Sequence, residues 1–258
     1  MRKEDMIVLE NKEIARDIFE MKLGGLLVQD ITEPGQFLHI HTSPQPFPLL
    51  RRPLSICKTN KAEEYLTVIY RAEGEGTRLL SACSKGSTLD VIGPLGHGFP
   101  VSDVSPGEKV LLAGGGVGVP PLYDTGHALK EKGVDVTTVI GFSDKGTVFY
   151  EDPFRDIGRV FVSTADGSYG TAGFVTDVME KEKLAFDRIF ACGPVPMLKA
   201  LETKYPEAEG CISLEERMGC GIGVCLACVC HTRQDPDGSD YRKVCSDGPV
   251  FPWKEVVL

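Results

Sequence analysis

Four cysteines constrain this chain more than any other feature. Cys220, Cys225, Cys228 and Cys245 stand in the spacing C-x4-C-x2-C, with sixteen residues before the fourth. Nine cysteines occur in all, and four of them fall between residues 220 and 230. An odd total, with no apolar leader behind Met1-Arg2-Lys3-Glu4-Asp5, argues against a disulfide framework. Thiols clustered this way in a reducing compartment point to metal or iron–sulfur ligation, and the spacing is that of plant-type [2Fe–2S] centres. Two irons bridged by two sulfides need two thiolates each. A tight loop offers three sulfurs and a distant strand returns the fourth. Gly219, Gly221 and Gly223 suit that loop, because they let the backbone approach and turn its N–H groups toward sulfur. Such groups stabilise a centre that becomes more negative on reduction. The competing reading is zinc, but zinc sites usually show paired C-x2-C knuckles, and only one such pair is present. Cys230 follows Cys228 by two residues. It reads as a packed free thiol, like Cys57, Cys83 and Cys211.

The 258 residues allow two modest domains and a small appendage. Residues 1–102 read as an antiparallel barrel of short strands. Ile14–Leu23, Gln36–His41, Leu66–Arg71 and Thr88–Ile92 are expected strands, separated by Gly24-Gly25, by 33–35 and by Ser43-Pro44-Gln45-Pro46. A short helix is expected over Thr77–Cys83. Residues 103–208 alternate strands and helices. The strands are Lys109–Ala113, Asp135–Gly141, Arg159–Thr164 and Arg188–Cys192. The helices are Pro120–Lys132, Glu151–Arg155, Gly173–Lys183 and Pro194–Thr203. That pattern implies a doubly wound parallel sheet. Residues 209–258 turn Cys- and Gly-rich and are too few for a convincing core of their own. A bound cluster would supply the cross-link.

Two glycine-rich strand ends mark a nicotinamide site in the α/β part. Gly114, Gly115, Gly116 and Gly118 lie where a strand hands over to a helix, allowing close approach of a pyrophosphate to the helix N-terminus. Cys192, Gly193 and Pro194 end a second strand, and together the two ends form a crevice at the sheet's carboxyl edge. Asp144 ends the strand between them. It is either an acceptor for a ribose 2′-hydroxyl, which favours NAD over NADP, or a turn residue. In the barrel, Arg52-Pro53-Leu54-Ser55 reads as a strand with a basic entry. Arg52 suits a flavin phosphate, and Ser55 suits the isoalloxazine. Ile69-Tyr70-Arg71 follows on a second strand, and Gly76 and Thr77 open a helix that suits phosphate. The order of these features points to a flavin barrel followed by a nicotinamide domain.

With these motifs the chain resembles the ferredoxin–NADP reductase superfamily. More narrowly, it resembles the electron-transfer subunits of two-subunit, NAD-dependent (class 1B) dihydroorotate dehydrogenases. The most specific stretch is Leu214-Glu215-Glu216-Arg217-Met218-Gly219-Cys220-Gly221-Ile222-Gly223-Val224-Cys225-Leu226-Ala227-Cys228, joined by Gly93-Pro94-Leu95-Gly96-His97-Gly98-Phe99. The resemblance implies FAD at Arg52, Pro53, Leu54, Ser55, Ile69, Tyr70, Arg71, Gly76 and Thr77, and a [2Fe–2S] cluster on Cys220, Cys225, Cys228 and Cys245. It implies a partner subunit that holds FMN and oxidises dihydroorotate to orotate, with two copies of each subunit. Electrons would run from FMN through the cluster and FAD to NAD⁺, in pyrimidine biosynthesis. Cys230, close behind the third ligand, departs from the family pattern and leaves ligand exchange there open.

No acid–base group for pyrimidine chemistry stands out, as expected if the substrate is turned over elsewhere. Two other readings share part of this layout. One is a subunit of an NADH-dependent ferredoxin:NADP⁺ or sulfide reductase complex. The other is a zinc-stabilised docking module without activity. A net charge of −9 argues against nucleic acid as a partner. No apolar run reaches the 18 or so residues a membrane span needs, and the expected location is the cytoplasm.

Overall fold

Met6 and Val8 are buried while Asp5, Ile7 and Leu9 around them are exposed, which gives the first strand one buried face and one wet one. This strand, β1 (Arg2–Ala15), turns back at Arg16-Asp17 into β2 (Ile18–Gly24). The computed structural model describes residues 1–43 and 47–258. Pro44, Gln45 and Pro46 of the expected turn lie outside the described residues. The barrel continues with β3 (Phe37–Ile40), β4 (Arg52–Asn60), β5 (Tyr65–Arg71), helix α1 (Glu75–Ser81) and β6 (Thr88–Leu95). Six antiparallel strands close in the order β1-β2-β5-β4-β3-β6 around Met6, Val8, Met21, Leu23, Leu38, Ile40, Val68 and Val91. The expected strand Ile14–Leu23 is divided. Asp17 takes a left-handed backbone (φ 60°), and neither glycine nor proline marks that turn in the sequence. The charged residues of β1 hid its first half.

The second unit comprises β7 (Lys109–Gly115), α2 (Pro121–Glu131), β8 (Asp135–Phe142), α3 (Glu151–Arg155), β9 (Arg159–Thr164), β10 (Thr171–Ala172), α4 (Val175–Lys181), β11 (Arg188–Cys192) and α5 (Val195–Lys204). Then come β12 (Glu209–Ser213), β13 (Val229–His231), β14 (Tyr241–Lys243) and β15 (Val250–Pro252). Seven strands form one sheet in the order β10-β9-β8-β7-β11-β12-β15, parallel except for the last pair. Leu112 and its face pack under α2 and α3, through Leu122, Leu129 and Phe154. Leu111, Ala113 and Ile189 pack under α4 and α5, through Val178, Leu198 and Leu201. Strands buried on both faces read as continuous apolar runs, which is why β7 and β11 were plain in the sequence.

β12 and β15 are not a separate unit's strands: both extend this sheet beyond β11. Met218, Cys228, Val244 and Cys245 between them, and Val256 beyond β15, pack into the core of the α4–α5 face, together with Phe37 and Leu95 from the barrel. The small C-terminal segment thus borrows its core from both neighbours. The pair β13–β14 stands apart as a two-stranded ribbon.

Barrel and sheet share a polar seam as well. The Tyr150 hydroxyl donates to Glu20 at 2.6 Å, and Arg16 binds Asp144 at 2.5 Å. Asp124 on α2 faces Thr59 on β4. Burial raises its carboxyl from 3.8 to about 6, against the hydrogen bonds from Thr59 and the nearby charge of Lys58. The folded protein therefore holds a proton that the unfolded chain has already released in this window. Stability should fall as pH rises from about 4 to about 6, by an amount on the order of 2–3 kcal/mol. Urea midpoints measured across that range should show the decline in the wild type and a flatter profile in Asp124→Asn.

Candidate functional site

The cluster loop runs from Gly219 to Cys228 and folds its backbone around sulfur. Cys220 Sγ accepts N–H groups from Ile222 (3.5 Å), Val224 (3.3 Å) and Cys225 (3.4 Å). Cys225 Sγ accepts from the Cys220 N–H at 3.3 Å, and Cys245 Sγ from the Gly223 N–H at 3.1 Å. Burial works against a charged Cys220, but the N–H groups of Ile222, Cys225 and Val224 outweigh it and lower its pKa to about 6. Cys245 goes the other way, raised by burial and by the adjacent Cys228 thiol. Among the described residues no three His, Cys, Asp or Glu side chains are grouped to hold a single metal ion. The thiols instead pair, Cys225 beside Cys220 and Cys228 beside Cys245. Pairs of thiolates suit a two-iron centre, whereas zinc draws four ligands to one point. Cys230 lies on β13 with its thiol toward the Arg242 carbonyl (3.7 Å), and burial raises its pKa to about 11.

The loop depends on glycine at position 221. Its φ is +71°, and a Cβ there would sit 2.5 Å from Nδ1 of His39. His39 is fully buried, and burial, then the charge of Arg51, lowers its pKa to about 4.

Immediately before the loop, Leu214–Met218 forms one wall of a cavity of about 790 Å³, within the usual range for cofactor sites. The opposite wall is the barrel: Arg52, Pro53, Leu54 and Ser55 from β4, Ile69, Tyr70 and Arg71 from β5, and Thr77 from α1. Gly76 meets the guanidinium of Arg52. Eight of the nine residues named for the flavin line this one space, and Gly76 stands beside one of them, Arg52. Their parts differ, however. The Tyr70 hydroxyl is spent inside the barrel on Asn11 (3.0 Å). The Thr77 hydroxyl caps α1, accepting the Gly74 N–H at 3.1 Å. Arg51, Arg52, Arg71 and Arg217 face the cavity with Glu73, Glu215 and Glu216, and guanidinium groups are suited to phosphate. Sequence reasoning did not assign Phe37, Val117 or Glu215 to this site. Phe37 lies opposite Ser55 in register, and Val117 belongs to the glycine-rich turn. Glu215 opens into the cavity and is exposed there.

The two glycine-rich ends meet at the point where the sheet order reverses, between β7 and β11, the usual place for a ligand crevice. Gly114 lies beside Cys192 in register. Gly118 lies so close to Cys192 that a Cβ would strike its carbonyl oxygen at 2.4 Å. Gly115 contacts Pro194 and Met197, Gly193 faces Gly115, and Gly116 approaches Arg71. The Cys192 thiol is buried, and its pKa is raised by burial and by the nearby Glu215 carboxylate. Asp144 lies in a turn, on the strand side of a short 145–147 helical turn. Its carboxylate accepts the Gly146 N–H at 2.8 Å and binds Arg16.

Known proteins resemble this chain along its length. The electron transfer subunit of dihydroorotate dehydrogenase B (NAD(+)) from Bacillus cereus strain G9842 is 54% identical over 258 residues, covering 100% of both chains. The chain belongs to this family. The corresponding Bacillus anthracis subunit (strain CDC 684) is also 54% identical over the full length of both. Residues 215–257 match the family model described as the iron–sulfur cluster binding domain of dihydroorotate dehydrogenase B. Among solved structures, a chain of the NADH-dependent reduced ferredoxin–NADP oxidoreductase superposes with a TM-score of 0.86 at 32% identity, covering 98% of this chain and 89% of that one. An Amycolatopsis cytochrome P450 reductase shares the fold, with a TM-score of 0.66 at 23% identity over 80% of this chain and 66% of that one.

Gly221→Ala tests the loop geometry of this family member. A left-handed alanine costs about 1–2 kcal/mol, and the new methyl group meets His39. Iron and acid-labile sulfide bound per chain should fall several-fold after reconstitution, while circular dichroism stays that of the wild type.

Proposed function

We propose that this chain takes electrons from a catalytic partner that oxidises dihydroorotate to orotate and delivers them to NAD⁺. One observation carries the reading. The segment Leu214–Met218 walls the flavin cavity and runs straight into the cysteine loop, while Val117 brings the nicotinamide turn to the same cavity. Cluster site, flavin site and nicotinamide crevice are contiguous.

In this reading Cys220, Cys225, Cys228 and Cys245 hold a [2Fe–2S] cluster. Arg52, Pro53, Leu54, Ser55, Ile69, Tyr70, Arg71, Gly76 and Thr77 hold FAD. Gly114, Gly115, Gly116, Gly118, Cys192, Gly193 and Pro194 receive NAD. A flavin exchanges hydride with nicotinamide and single electrons with an iron–sulfur centre, so its place between the two is dictated by chemistry. The chain supplies guanidinium groups for phosphate and N–H groups for thiolate. The division into a flavin barrel (1–102), a nicotinamide unit (103–208) and a cluster unit (209–258) belongs to the proposal, with β12 and β15 of the last completing the sheet of the second.

The partner we infer contains FMN and assembles with two copies of each subunit. Ile222, Val224 and Leu226 are exposed on the cluster loop and suit its docking surface. We place the complex in the cytoplasm; no helix among the described residues is long and apolar enough to cross a membrane. The likeness to the ferredoxin–NADP oxidoreductase chain supports a second reading, a subunit of such a complex. Its 32% identity against 54% makes it the lesser one.

Loaded with iron, sulfide and FAD, the chain should reduce an artificial one-electron acceptor with NADH. With a dihydroorotate dehydrogenase catalytic subunit added, dihydroorotate should drive NAD⁺ reduction at least tenfold above either subunit alone. No NADH-dependent acceptor reduction by fully loaded chain would remove the reductase reading. Coupling only to a ferredoxin-linked partner would establish the second one.

A further inference from the structure

His39 is not explained by the sites described so far. It lies on β3, opposite Pro53 of the flavin strand and beside Ile92 of β6. Its neighbours Leu38 and Ile40 point into the barrel core. Strand alternation therefore turns Phe37 and His39 to the barrel's outer face. The cluster segment covers that face. Phe37 joins Cys228 and Cys245 in one core, and the His39 ring lies against Gly221, between the ligand Cys220 and the residue whose N–H reaches Cys220 Sγ.

The side chain is fully buried, and neither Nδ1 nor Nε2 makes a hydrogen bond of good geometry, although the backbone of Cys220 and of Arg51 lies close to the ring. A neutral imidazole always carries one N–H. A buried donor without an acceptor is rare in folded proteins and usually marks a role or a missing partner. An apolar side chain would cover this face at lower cost. The neighbouring charge is Arg51, which donates to the His39 carbonyl at 3.3 Å and pairs with Asp90 at 2.7 Å. Arg52 is the second cation whose charge acts on the ring. The group that the adjacent loop is built to hold is anionic and offers sulfur acceptors.

We propose that His39 donates a hydrogen bond to the iron–sulfur centre held by the cysteine loop and thereby raises its reduction potential. The proposal rests on the cluster assignment above. It makes His39 a positioning residue contributed by the flavin barrel to the cluster. Hydrogen bonds to cluster or ligand sulfur favour the more negative, reduced state. Loss of this donor makes reduction harder.

The test uses the full chain, loaded anaerobically with iron, sulfide and FAD. In wild type labelled with ¹⁵N-histidine and reduced with dithionite, pulsed EPR should show a histidine nitrogen coupled to the two-iron signal, absent in His39→Phe. A redox titration followed by EPR should place the His39→Phe centre at a more negative potential than wild type, with His39→Gln, which keeps a donor, moved back toward it. A His39→Phe protein with full iron content and an unshifted potential would overturn the proposal, as would an equal shift in both variants. If His39→Phe fails to load, the labelled wild type decides alone: no nitrogen coupling in a clear two-iron signal overturns it. Absence of any two-iron signal in loaded wild type would instead defeat the cluster assignment.

Discussion

Backbone N–H groups turned onto cysteine sulfur hold this architecture together at its functional centre. The loop 219–228 has no helix or strand before Val229, so its amide groups must find acceptors elsewhere. Five of them find thiols on Cys220, Cys225 and Cys245. This couples loop conformation to thiolate charge. The bend that points the amides inward is the bend that makes Cys220 easy to ionise. It also explains why the segment tolerates exposed apolar residues at 222, 224 and 226, since the inward face is occupied by backbone.

That loop stands on a core it does not own. Cys228 and Cys245 are buried with Phe251 and Ile212 under the sheet and with Phe37 from the barrel. The segment between barrel and sheet is tied in too: the His97 N–H donates to the Gly248 carbonyl at 2.7 Å, three residues beyond Cys245. Displacing the cluster loop would thus disturb barrel and sheet together. A rigid junction of this kind suits electron transfer, where separations between carriers must be held constant.

Much of this was legible in the chain because the governing signals are local. The cysteine spacing and the apolar runs 109–113 and 188–192 each announce themselves within a few residues. Helix Glu151–Arg155 and strand Arg159–Thr164 have the limits the sequence suggested. Other features depend on tertiary partners and left no local mark. The β1–β2 hairpin turns at Arg16-Asp17, where Asp17 accepts a left-handed backbone in place of glycine. β12 and β15 belong to the sheet only because β11 presents a free edge, a fact invisible in a stretch whose composition had shifted to cysteine and glycine. Glu215, Val117 and Phe37 come from three different segments, and only folding brings them to one cavity. The run Leu214-Glu215-Glu216-Arg217-Met218, directly before Cys220, was the available signal for the first of them.

The central claim is that four thiols, in two pairs, bind two irons at the junction of three segments. Mössbauer spectroscopy of the full chain reconstituted with ⁵⁷Fe tests it most directly. The account predicts a diamagnetic oxidised spectrum from two tetrahedral, sulfur-ligated ferric sites, which separates into one ferric and one ferrous site on one-electron reduction. A chain that binds a single metal ion per molecule, or takes up zinc and excludes iron under the same conditions, would contradict it.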